Sequence, residues 1–259
     1  MFEGWEEGAA PGVGPMGNAL KPGYYDTANA GWAKYAANNG LERQLKILKE
    51  EEIKASVFCS GVQMERHPDL IKKIAAEGHE VCLHSLAQNI IPIYLDEATE
   101  REQMSHCLDL AVSLTGKHPV GYCSPRCTPS LNTSKLLAEN GLKYTIDWMG
   151  SDLPMVEHTE AGDICLMPFP MNVNDMPLYV RYGNAPDQYY RNLVDEFENW
   201  YAKHPEEKVV YWITAHSHVF GRPFGAVQFQ RCIQYIKSLP YVWIAQPHEV
   251  ASTVLDVTY

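Results

Sequence analysis

Residues 67–85 read HPDLIKKIAAEGHEVCLHS, in which a helix-like run passes directly into a strand-like run. Pro68 suits the first turn of a helix, the apolar residues after it recur at helical spacing, and Gly78 is typical of a helix end. The following run, EVCL, is mostly apolar on both faces, as expected for a parallel strand covered by helices. This stretch therefore predicts an α/β unit whose buried strand ends at His84.

The same alternation continues in both directions along the chain. Helical patterns occur in LERQLKILKEE, DEATEREQMSHCLDLAVSLTG, SLNTSKLLAENG, QYYRNLVDEFENWYAKH and GAVQFQRCIQYIKSLP, and strand patterns in IKASVFCSG, VGYCSPR, YTIDW, DICLMPFP, KVVYWITAH and VWIAQ. Six or seven such units without a linker or repeat favour one α/β domain over residues 1–259, folded as a closed or nearly closed β/α barrel. Residues 1–40, rich in Gly, Pro and aromatic side chains, predict a long loop region packed on that barrel.

Composition excludes several classes of function. The net charge of −11 and the pI of about 5.3 leave no basic surface for nucleic acid. No stretch approaches the roughly 20 apolar residues of a membrane helix, and no signal pattern opens the chain, so we expect a soluble, cytoplasmic protein without a membrane partner. The seven cysteines are scattered through apolar runs and predict core positions rather than a zinc site or a disulfide framework.

Polar side chains recur where the predicted strands end. Because catalytic groups of a barrel gather at the C-terminal ends of its strands, the candidates are His84, Ser85, Arg126, Asp147, Asp152, Asn174, Asp175 and His216, together with Glu3, Trp5, Glu6 and Glu7 from the N-terminal loop. The bland alternative is that the aspartates only cap turns. His218 alternates with His216 and is expected to point away from it. Carboxylates and imidazoles clustered in this way favour amide hydrolysis, which needs a base for water and an acid for the leaving nitrogen.

Several of these stretches resemble a known family. GHEVCLHS with its preceding helix, GYCSPR, DWMGSD and HSHVFGRP are similar in order and spacing to motifs of the polysaccharide deacetylase superfamily (carbohydrate esterase family 4, NodB-homology fold), from about Glu3 to Ala251. WEEG, MPFPMNVND and the form H-x-x-x-x-G-R-P look more like its allantoinase and cyclic-imide hydrolase branch. The resemblance implies a distorted (β/α)7 barrel that hydrolyses a carbon–nitrogen bond other than a peptide bond.

The resemblance also implies roles for individual residues. Glu6 best matches the acidic ligand of the first motif, His84 matches the first motif histidine, and His216 matches the general acid. With the looser match Asp152, these form the expected catalytic set. The expected substrate-binding set is Glu3, Trp5, Gln88, Arg126, Asp147, Asn174 and Asp175.

Gln88 stands where metal-dependent members of this family have a second histidine ligand. A neutral amide is a poor substitute for imidazole at zinc, so we expect no required cofactor and weak or absent zinc. Any metal that did bind would be held by Glu6 and His84.

The leading functional hypothesis is an amidohydrolase that acts on a small cyclic ureide, imide or related amide. The first alternative is an N-deacetylase of an amino sugar or oligosaccharide, and the second is an inactive barrel used as a binding protein. We further expect a homo-oligomer, because the long loops carry Trp, Tyr and Met side chains that a monomer would struggle to bury.

Overall fold

Six strands form the central sheet of the computed structural model, which describes residues 1–9, 16, 20–21, 23–169 and 171–256. The order across the sheet is β1-β2-β3-β4-β6-β5. All neighbours are parallel except the hairpin of β5 and β6. The strands are β1 (Ser56–Cys59), β2 (Glu80–Leu83), β3 (Gly121–Tyr122), β4 (Tyr144–Trp148), β5 (Met155–Thr159) and β6 (Gly162–Pro168).

Helices follow most strands, as the alternating pattern predicts. They are α1 (Thr27–Tyr35), α2 (Leu41–Glu50), α3 (Gly61–Arg66), α4 (Pro68–Ala76), α5 (Glu97–Thr115), α6 (Thr133–Glu139), α7 (Gln188–Glu196), α8 (Pro223–Lys237) and α9 (Pro247–Leu255). A π-helical turn, Ala36–Gly40, joins α1 to α2. The predicted boundaries of α4 are confirmed, since Pro68 opens the helix and Gly78 follows it with φ of 80°. No helix among the described residues is long and apolar enough to cross a membrane.

Backbone hydrogen bonds connect further extended segments to the two sides of the sheet and continue the barrel. Phe2 lies between two segments: its N–H donates to Phe58 O and its carbonyl accepts from Ser60, while the neighbouring Met1 carbonyl accepts from Ser217. Thr214 donates in turn to Val173, just beyond β6. Residues 1–3 and 214–217 thus stand between β1 and the extension of β6. The expected distorted α/β barrel is confirmed. Two irregular extended segments, residues 1–3 and 214–217, which we call staves, take the place of regular strands.

The two faces of the strands pack into separate clusters. Side chains on the outer face, such as Val57, Val81 and Leu83, join the larger core with the helices. The opposite face contributes Phe58, Cys82, Tyr144, Ile146, Cys165 and Met167 to a smaller core shared with α9. Six of the seven cysteines are buried. Apolar packing fills the barrel, so polar residues collect where the strands end.

Several local features of the structure differ from the expectations. KVVYWITAH forms only one isolated bridge, at Thr214, and VWIAQ forms no strand. Strand β5 and helix α9 have no counterpart in the prediction. The supposed loop over residues 1–40 contains α1 and the π-helical turn, whereas residues 10–15, 17–19 and 22 lie outside the described residues. The first two segments have strand propensity, but neither forms a continuous ladder of backbone hydrogen bonds with a neighbouring strand.

Candidate active site

The carboxylate of Glu3 is the centre of a buried polar cluster at the C-terminal ends of the strands. Glu3 is 2% exposed and directly follows Phe2, whose bridge to Cys59 fixes it beside β1. His84 follows β2 in the same way, and its N–H extends the ladder to Cys59 O at 3.0 Å. His216 lies within the segment 214–217 described above. Three separate strand ends therefore bring a carboxylate and two imidazoles together.

One oxygen of the Glu3 carboxylate takes most of the contacts. The amide of Gln88 donates to Oε1 at 2.8 Å. His216 Nε2 and His84 Nε2 lie 3.3 and 3.4 Å from the same oxygen. Burial alone would raise the pKa of Glu3, but His216 and the other surrounding donors lower it well below the usual value. Glu3 is therefore a carboxylate at neutral pH.

His216 is held between two carboxylates. Its Nδ1 donates to Asp175 Oδ1 at 2.6 Å, and Asp175 Oδ2 accepts the backbone N–H groups of His216 and Phe220. Asp175 is fully buried. Burial alone would lower the pKa of His216, but Asp175 and Glu3 raise it to about 9. At neutral pH the pair thus consists of an ionised Glu3 and a protonated His216, which are the states required of a base and an acid.

The backbone of the next strand fixes the ring orientation of His84. Its Nδ1 donates to Cys123 O at 2.7 Å, so Nε2 is the nitrogen that faces Glu3. Asp147, at the end of β4, accepts the Ser124 N–H with both carboxylate oxygens and the Thr145 hydroxyl with one. Burial raises the pKa of Asp147, and these hydrogen bonds oppose the rise. Asp147 thereby holds the backbone at Ser124, directly after the Cys123 carbonyl to which the His84 ring donates.

The expectation that His218 points away from His216 is wrong. Its Nε2 lies 3.8 Å from Glu3 Oε2, and its ring centroid is 5.8 Å from that of His216. The rule of alternation applies to an extended strand, but the chain turns after Ala215, where Val219 N–H already donates to His216 O. His218 therefore belongs to the cluster.

The other residues proposed from the sequence divide into two groups. Near the cluster lie Gln88, Trp5 (whose ring meets His218 edge-on at 5.5 Å), Asn174 (buried, accepting from Met176 N–H), Asp147 and Asp175. Outside it lie Glu6, Arg126 and Asp152, all of which are exposed.

Each of these three exposed residues has a different surrounding. The Glu6 carboxylate pairs with Asn89 at 2.8 Å. Arg126 adopts a left-handed conformation (φ 59°) in the turn after β3. Asp152 lines a cavity of about 340 Å³ with Trp148 and Trp212. The geometry thus puts Glu3, not Glu6, in contact with both histidines, although the assigned roles themselves remain predictions. A signal for this was present in Phe2, a strand-forming apolar residue directly before Glu3.

The donor set does not fit a preformed metal centre. Within the described ranges, the one group of three or more His, Cys, Asp or Glu side chains with donor atoms within 4.8 Å of one another is His204, Glu206 and Glu207, at the surface. At Glu3 the Gln88 N–H faces the carboxylate, where a metal ligand would have to present a lone pair.

Comparison with known proteins agrees with this architecture. Residues 23–145 match the model of the family described as polysaccharide deacetylase. The crystal structure of PuuE allantoinase is 30% identical and has a TM-score of 0.81, over 90% of this chain and 78% of that one. A probable polysaccharide deacetylase from Pseudomonas aeruginosa PAO1 is 28% identical with a TM-score of 0.83, over 92% and 80% of the two chains. A peptidoglycan deacetylase from Helicobacter pylori is 24% identical over 85% of each chain. The chain belongs to the polysaccharide deacetylase family of hydrolases.

Proposed function

We propose that this protein hydrolyses a carbon–nitrogen bond, other than a peptide bond, in a small cyclic ureide, imide or related amide. The observation that carries the proposal is the pair of Glu3 and His216, 3.3 Å apart, with Asp175 behind the imidazole. Burial supports a small substrate, since Glu3 is 2% and His216 5% exposed. The likeness to a structure named as an allantoinase, at 30% identity, supports the same substrate class.

The chemistry balances with these two side chains. A lone pair of water forms the new bond to the carbonyl carbon while Glu3 accepts the water proton, and the carbonyl π electrons move onto oxygen. When the carbonyl re-forms, the carbon–nitrogen bond breaks and the nitrogen takes a proton from His216. The Glu3 carboxylic acid then loses this proton and His216 regains one, directly or by way of water, which restores both groups.

A second candidate is an N-deacetylase of an amino sugar. The names of the Helicobacter relative and of the matching family model favour it. The chemistry is the same, but the product would be acetate and the substrate would have to reach the buried carboxylate with a sugar chain attached.

A substrate panel distinguishes the candidates. Purified protein is incubated with allantoin, hydantoin, succinimide and N-acetylglucosamine oligomers, and ring opening and acetate release are measured separately. We expect ring opening of a cyclic amide by the wild type and loss of that activity in His216→Ala. Acetate release from the oligomers without ring opening would replace the first candidate by the second. Turnover of none of the four would favour the binding-protein alternative. The cytoplasmic location and the homo-oligomer stay predictions.

A further inference from the structure

His218 is a buried histidine that the mechanism above leaves unused. It is 0% exposed, and neither of its ring nitrogens has a hydrogen-bond partner within the described part of the chain. Buried polar atoms are nearly always paired in native proteins, so an unpaired imidazole in an active site needs an explanation.

The aromatic surroundings of His218 hold its ring in place without occupying its nitrogens. Trp32 meets the ring edge-on with centroids 4.5 Å apart, and Trp5 does so at 5.5 Å. Burial lowers the pKa of His218 to about 4, against the opposing effect of Glu3. The ring is therefore neutral under ordinary conditions, with one nitrogen that donates and one that accepts.

A further unpaired atom beside His218 is one oxygen of the Glu3 carboxylate, Oε2. While Oε1 is surrounded by Gln88, His84 and His216, Oε2 is buried without a hydrogen-bond partner among the described residues. It lies 3.8 Å from His218 Nε2. That distance is too long for a direct hydrogen bond, but one water oxygen can lie about 2.8 Å from both atoms.

We propose that His218 and Glu3 Oε2 together hold the water that attacks the substrate carbonyl. The inference rests on the proposed function and adds a catalytic residue to it. The water donates one hydrogen to Glu3 Oε2, the proton that Glu3 later accepts. It either donates its other hydrogen to His218 Nε2 or accepts one from it, and in both cases at least one oxygen lone pair remains for the carbonyl carbon.

Two substitutions at position 218 separate this role from simple packing. His218→Phe keeps a ring between the tryptophans but removes both nitrogens, whereas His218→Gln places an amide nitrogen near the position of Nε2. We expect His218→Phe to lower kcat about 10- to 100-fold on the panel substrate that the wild type turns over, since a buried hydrogen bond is lost. His218→Gln should stay within about threefold to tenfold of the wild type, with KM nearly unchanged in both. The reverse order of activities, with Phe better than Gln, would mean that the ring serves only to pack.

A high-resolution crystal structure provides a readout that needs no turnover. We expect an ordered water within hydrogen-bond distance of Glu3 Oε2 and His218 Nε2 in the wild type, and its loss in His218→Phe. Absence of that water from the wild type would overturn the inference. If the water is present but no panel substrate is hydrolysed, the proposed function fails while the water site stands.

Discussion

At the scale of single residues, the site depends on which carboxylate acts as the general base. Glu3 and Glu6 are three positions apart, yet one is buried against two imidazoles and the other is exposed and paired with Asn89. The free energy cost of burying a charge is tolerated only where partners offset it, as they do at Glu3.

The two glutamates make a matched pair for mutation. Glu3→Gln keeps the shape of the side chain but removes the base, so we expect kcat to fall about 100- to 10,000-fold. Glu6→Gln should change kcat less than about tenfold, because its exposed carboxylate accepts a hydrogen bond from Asn89 and lies outside the cluster. Steady-state kinetics on the active panel substrate check this. Equal losses of kcat in the two variants would contradict the assignment of Glu3, rather than Glu6, as the general base.

The pair of Asp175 and His216 predicts the alkaline limit of activity. The pKa of His216 is raised to about 9 by Asp175 and Glu3, so the acid is protonated below that pH and is lost as pH rises through it. The profile of kcat/KM should therefore fall near pH 9. Removing the Asp175 charge in Asp175→Asn should move this limb to lower pH. By the same linkage, His216 contributes its full stabilisation below about pH 6.5 and loses it as pH rises through about 9. An unchanged alkaline limb in the variant would exclude His216 as the titrating acid.

At the scale of elements, the helical segment 27–50 positions the turn that carries His216. Arg43 donates to Gly221 O and to the Tyr35 hydroxyl, and Ser217 donates to Gln44 at 2.7 Å. Gly40, in the π-helical turn, lies directly against the Ser217 carbonyl. Close packing of backbone on backbone thus sets where the acid stands.

Two glycines of that segment test the contact. A Cβ on Gly40 would overlap the Ser217 carbonyl oxygen, whereas a Cβ on Gly31 would meet nothing within 4 Å. We expect Gly40→Ala to lower the free energy of unfolding by about 1–3 kcal/mol and to lower kcat, because the turn must move. Gly31→Ala should raise that free energy by up to about 1 kcal/mol at unchanged kcat. Urea unfolding and kinetics measure both. Similar effects of the two changes would mean that the contact does not govern the turn.

The elements also mark the limit of prediction from sequence. Helices such as α4 and α5 follow from periodicity and end signals, because local chemistry decides them. Segment 208–216 has strand propensity, but its pairing depends on Val173 and on residues 1–3, which are distant in sequence. His218 was misplaced for the same reason: alternation presumes a strand that the chain leaves after Ala215. His84 and His216 were predicted to lie together because strand ends of a barrel converge whatever their local details.

At the scale of the whole molecule, metal content is the sharpest global prediction. The cluster around Glu3 presents the N–H of Gln88 to its carboxylate and does not form a preformed metal centre. We expect purified protein to retain well under one zinc per chain and chelator to leave most activity intact, as measured by elemental analysis and a chelator titration. Stoichiometric zinc with chelator-sensitive activity would show that the cluster rearranges around a metal.

The stave formed by residues 1–3 has a consequence for how activity arises during folding. On the side away from β1, its partners Ala215 and Ser217 lie more than 200 residues further along the chain. Contacts of such long sequence separation carry a high loop-closure entropy and tend to form late. Because Glu3 belongs to this stave, the chain acquires its base only when the ring closes. During refolding, enzymatic activity should therefore recover later than the helical circular dichroism signal. Chains in which the barrel has not yet closed would have most of their helices but no catalytic activity.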